Sequence, residues 1–87
     1  MTDESIVSEV PSTEEIAQHY SAMGDSVDLI NAVIAGTQMA GESDEEKKDC
    51  VKRNVAHLEI MLAKDFWTDQ DMTAVNAAVT SGGAYIA

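Results

Sequence analysis

Several things are scarce in this chain of 87 residues, and each scarcity excludes a class of protein. Cys50 is the only cysteine, so no internal disulfide can form and no thiol-rich metal site is available. Pro11 is the only proline, which leaves every later segment free of the strongest helix breaker. No lysine or arginine precedes Lys47, although phosphate recognition normally needs several such contacts. Direct DNA or RNA binding is thereby excluded. The longest apolar stretch, residues 27–40, is shorter than a membrane span of about 20 residues and carries Asp28, Asn31 and Gln38. The first residues are acidic and lack the basic and apolar parts of a secretory leader, so a cytoplasmic location is expected.

What is present is acid. Residues 1–46 hold eleven carboxylates and no lysine or arginine, while residues 47–87 balance five acids against five bases. The net charge of −11 therefore belongs to the first half. Solubility and the positive ends of helices account for much of it. Attraction to a basic partner, including mimicry of nucleic acid, is the sharper alternative.

The apolar residues recur at helical rather than strand spacing, which predicts an all-α domain. Residues 1–11 show no sustained period and are expected to form a flexible or docked arm, with residues 12–87 as the single helical domain. Ser12-Thr13-Glu14-Glu15 has the form of a capping box, in which a serine hydroxyl and a glutamate three residues later satisfy each other's backbone amides. A helix over 13–23 is predicted, stopped by Gly24. Asp25 or Ser26 then caps a helix over 26–40, with Val27, Ile30, Val33 and Ile34 on its apolar face and Gly36 inside it, where Ala32 and Gly36 would permit a close helix approach. Ser43-Asp44-Glu45-Glu46 is a second capping box, heading a helix over 44–64 whose stripe is Val51, Val55, Leu58 and Leu62. Thr68 is expected to cap a last helix over 69–81, with Trp67 and Met72 as a hydrophobic staple and Ser81-Gly82-Gly83 as its end. The expected architecture is a small four-helix bundle or a pair of helical hairpins.

Motifs that carry chemistry are absent. Glu15 with His19 and Cys50 with His57 share helix faces, but neither pair has the spacing of a di-iron or zinc site. Asp65, Asp69 and Asp71 invite a calcium-loop reading, which fails because, counting from Asp69, Ala74 and Thr80 stand where glycine and glutamate are needed. There is no glycine-rich phosphate loop and no nucleophile elbow. The segment 69–81 has no lysine or arginine, so it is not a DNA-recognition helix. No catalytic residue, metal site or cofactor is assigned. Phe66 and Trp67, the sole phenylalanine and tryptophan, lie at a helix junction and are the best candidate binding anchors, with packing as the plainer role.

The stretch of residues 54–78, with His57-Leu58-Glu59-Ile60-Met61-Leu62, Asp65-Phe66-Trp67-Thr68 and Asp71-Met72-Thr73-Ala74-Val75-Asn76-Ala77-Ala78, resembles small uncharacterised proteins of marine bacteriophages and marine metagenomes. The resemblance spans about a third of the chain, implies an accessory factor, and supplies no site residues. The expectation is a non-enzymatic interaction or structural protein acting as a homodimer, with Ile30 and Ile34 of the second helix at the interface and Phe66 and Trp67 as further contacts. The alternative is an acidic decoy that binds a host nucleic-acid-binding protein.

Overall fold

The computed structural model describes residues 11–87, and the fold is all-α. Most of the expected arm, residues 1–10, lies outside the described residues. Among those described there are three helices, not four: α1 (Thr13–Ala35), α2 (Asp44–Leu62) and α3 (Thr73–Ile86). Each packs on the other two. The start of α1 lies beside the end of α2, and Ser26 meets His57, so α1 and α2 are antiparallel. Gly82 of α3 faces Val51 and Val55 of α2, which sets α3 antiparallel to α2 as well. No helix among the described residues is long and apolar enough to cross a membrane.

The merging of two expected helices into α1 follows from phase. Ile16, Met23, Val27, Ile30 and Val33 are buried along a single stripe that crosses Gly24 without a break. A glycine inside a helix costs about 1 kcal/mol relative to alanine. Burying one large apolar side chain returns about 1.5–3 kcal/mol, so the continuous stripe wins. Ser26, expected as a cap, is instead buried in the middle of α1. The helix stops at Ala35 rather than residue 40 because Gly36 adopts φ +84° and its amide turns back to Ala32 and Val33. Thr37 also returns its amide to the Ala32 carbonyl at 2.9 Å, so the orphan acceptors of the last turn are satisfied. Gly36 is thus a cap and not a site of close helix approach; a Cβ there would meet nothing within 4 Å.

Both serine capping boxes form. Glu15 N donates to Ser12 Oγ at 3.1 Å and Ser12 N to Glu15 Oε1 at 2.8 Å. The corresponding distances at Ser43 and Glu46 are 3.1 and 3.2 Å. The Ser43 amide and, at 3.0 Å, the Ser43 hydroxyl both donate to the Glu46 carboxylate and hold it below its ordinary pKa. At the other end of α2, Trp67 Nε1 donates to the Met61 carbonyl at 2.8 Å, and Lys64 N donates to the same oxygen at 3.1 Å. Trp67 therefore finishes α2 rather than stapling the head of α3.

The last helix is displaced from its expected position at both ends. Thr68 does not cap: its hydroxyl donates to Asp69 Oδ1 at 3.2 Å, and its amide to Gln70 Oε1 at 2.9 Å. Asp71 Oδ1 instead accepts from Thr73 N at 2.9 Å, and α3 begins there. Gly82 is buried inside α3. A Cβ on it would lie 2.5 Å from Val55 Cγ2, 3.2 Å from Val51 Cγ1 and 3.4 Å from Ile30 Cγ2. The glycine expected to end the helix is what allows α3 to settle on the other two. With Val75 and Ala78 it forms the buried stripe of α3. The core of all three helices centres on Met23, Ile30, Val51 and Leu58, which are the largest fully buried side chains.

Candidate functional site

The expected interaction residues fall in three different places. Ile30 is fully buried in the chain's own core, so in this arrangement it is closed to a partner. Ile34, one turn later, remains 39% exposed, and Ile60 on α2 is 60% exposed. Val27, Ile30 and Val33 of the expected apolar face are buried in the core shared with α2 and α3.

Phe66 and Trp67 pack against the core from the connection between α2 and α3, each half-buried, with ring centroids 4.7 Å apart. Trp67 is committed through its indole to the Met61 carbonyl. Phe66 stacks on His19 of α1 at 5.7 Å and 28°. Together they wall a cleft of about 390 Å³ at the end of the bundle, lined also by Pro11, Glu15, Met61, Lys64 and Asp65. Its charges are of both signs, and Glu15 Oε1 already accepts from the Ser12 amide. Glu15 and His19 do sit on one face as expected, but among the described residues no three His, Cys, Asp or Glu side chains converge as a metal set.

A second cleft lies where α1 crosses α3. Tyr20, Gly24, Val27 and Asp28 contribute from α1, Ala74 and Val75 from α3, enclosing about 190 Å³ with mostly apolar walls. Tyr20 Oη donates to the Asp71 backbone carbonyl at 2.6 Å, fixing the ring at one edge. The neighbouring Asp71 carboxyl is held below its ordinary pKa by hydrogen bonds from the Thr73 side chain and amide. Gly24 lines the cleft without a side chain, and a Cβ there would meet nothing within 4 Å.

One polar pair escaped sequence reasoning. Ser26 Oγ and His57 Nδ1 share a hydrogen bond of 2.9 Å between α1 and α2, with Ser26 only 7% exposed. A serine beside a histidine has the outline of a nucleophile and its base. Neither cleft reaches this pair, so a substrate has no approach to the hydroxyl through them, and the bond serves to register the two helices. Nothing in the local sequence signals it, since 31 positions separate the partners. Cys50 is buried on the α2 stripe, and Asn54 Nδ2 donates to its carbonyl at 2.8 Å.

The bases, but not the acids, are confined to α2 and its edge, since α2 also carries Asp44, Glu45, Glu46, Asp49 and Glu59. Lys47, Lys48, Lys52 and Arg53 all lie on α2, and Lys64 follows just beyond it. Glu14, Glu15, Asp25 and Asp28 stand exposed on α1, which has no lysine or arginine, while α3 has no charged residue at all. Fold and clefts thus define a class, a three-helix domain in which α1 carries acids without lysine or arginine and α3 carries no charge. Comparison with protein-family models, curated proteins and solved structures gives no match to this chain.

Proposed function

We propose that this chain is a non-enzymatic interaction protein whose α1 and α3 side engages a basic protein, the class of nucleic-acid-binding proteins being the one whose charge fits. The observation that carries this reading is the confinement of every lysine and arginine to α2 and Lys64, which leaves Asp25 and Asp28 on α1 without a base on their own helix or on α3. Like charge repels phosphate from such a surface, and the same field draws in a cationic partner. A direct test is displacement of a labelled DNA duplex from a purified basic DNA-binding protein, at about 50 and about 300 mM salt, since exposed charges are screened beyond a Debye length. Displacement at low salt that is lost at high salt is the expected result. No displacement at low salt would overturn the reading.

Self-association as a homodimer is a second reading, and the absence of charge from α3 favours it. Two copies of a chain with net charge −11 repel over most of their surfaces, and α3 is where that repulsion is least. Light scattering across about a hundredfold range of protein concentration decides it. A mass that stays at 9.3 kDa throughout rejects the dimer.

A further inference from the structure

Gly24 presents an unexplained cost. It stands inside a 23-residue helix, where alanine is favoured by about 1 kcal/mol, yet no neighbour lies within 4 Å of where its Cβ would be. Packing gives no reason for a glycine here. Gly24 lines the groove between α1 and α3 and contributes no side chain to it. At about 190 Å³ the groove is below the range of about 300–1,000 Å³ typical of small-molecule and cofactor sites, so its scale is that of one side chain. Its walls are Val27, Val75, Ala74 and the Tyr20 ring, and its one charged residue is Asp28.

We propose that this groove receives an arginine or lysine side chain of the basic partner, with the aliphatic stem against Val27 and Val75 and the cationic head at the Asp28 carboxylate. The inference rests on the reading given under Proposed function. Long cationic side chains lie along apolar surface while keeping the charged end at a polar rim, which is the division of chemistry this groove offers. A charge-assisted hydrogen bond to Asp28 would orient the head. Neither α1 nor α3 carries a lysine or arginine that competes for that carboxylate.

The test is a titration of isotope-labelled protein with a blocked hexa-arginine peptide at about 50 mM salt, followed by amide chemical shifts, with the neutral hexa-citrulline peptide as control. Expected are shifts centred on Tyr20, Gly24, Asp28 and Val75 with hexa-arginine and none with hexa-citrulline. Asp28→Asn should weaken binding about threefold to fivefold, the scale of one exposed ion pair. Gly24→Leu should weaken it about tenfold or more by occupying the groove, and thermal melting shows that both variants remain folded. Binding that persists unchanged in Gly24→Leu, with shifts elsewhere on the acidic surface, overturns the groove and leaves the basic-partner reading standing. No binding of hexa-arginine at low salt overturns both. A concentration-dependent dimer that Gly24→Leu abolishes also overturns the proposal, by giving the groove to a second copy.

Discussion

Gly82 and Gly24 sit inside helices of this bundle in opposite surroundings. At Gly82 the backbone of α3 comes so close to the Val55 side chain of α2 that a methyl group would overlap it, while at Gly24 a methyl group would meet open space. The first glycine is required by packing, and the second is not. The same residue type, costing each helix about the same amount, thus marks a sealed contact in one region and an open groove in the other. The difference separates a residue that makes the fold from one that leaves a surface available.

The largest effect that sharpens this contrast is expected at Gly82. Valine side chains are stiff about χ1, so Val55 cannot swing away easily, and Gly82→Ala should destabilise the protein by about 1–3 kcal/mol despite the better helix propensity of alanine. Chemical denaturation measures it, and combining Gly82→Ala with Val55→Ala should recover part of the loss, a non-additivity of about 0.5–3 kcal/mol. Additive losses would show that the overlap with Val55 is not the cause. At the groove, Tyr20→Phe removes the hydroxyl that bonds the Asp71 carbonyl and should cost about 1 kcal/mol in the same assay. Gly24→Ala should do the reverse of Gly82→Ala and raise stability by about 0.5–1 kcal/mol; a loss there would break the comparison by showing that the position is tightly packed after all.

The smallest effect concerns pH. Because the folded state holds the Asp71 carboxyl below its ordinary pKa, its contribution is fully present above the ordinary carboxylate range and is lost as pH falls through the lowered folded value. The carboxyl of Glu46 behaves in the same sense. The advantage of the native protein over Asp71→Asn should therefore be present at neutral pH and fade on acidification, as followed by melting curves. A difference that stays constant down to strongly acidic pH would contradict the assignment of Asp71 to the head of α3.

The parts of the fold legible in the sequence are those governed by contacts within four residues. The boxes at Ser12 and Ser43 form as expected, and α2 begins at Asp44 and carries its buried stripe through Val51, Val55 and Leu58. The errors cluster at glycine and at the residues before α3. Local pattern makes Gly24 and the Ser81-Gly82-Gly83 run helix ends and Gly36 helix interior, yet of these only Gly36 ends a helix. The unbroken phase from Ile16 to Val33 was a readable sign that Gly24 does not interrupt α1. No comparable sign existed for Gly82, whose surroundings come from Val51, Val55 and Ile30 on two other helices. The interaction candidates divide in the same way. Phe66 and Trp67 stand at a junction as expected, but the stacking of Phe66 on His19 and the capture of the Trp67 indole by the Met61 carbonyl join groups brought together by the path of the chain.

The sequence by itself therefore determined that the chain is helical, where α1 and α2 start, and that its bases are confined to residues 47–64, because caps, periodicity and charge order are local properties. Tertiary structure alone decided that Ile30 is core while Ile34 reaches the surface, that Gly82 is a contact while Gly24 borders a groove, and that Ser26 meets His57. These outcomes depend on what a neighbouring helix places opposite each residue, and a local pattern along one helix holds no record of its neighbour.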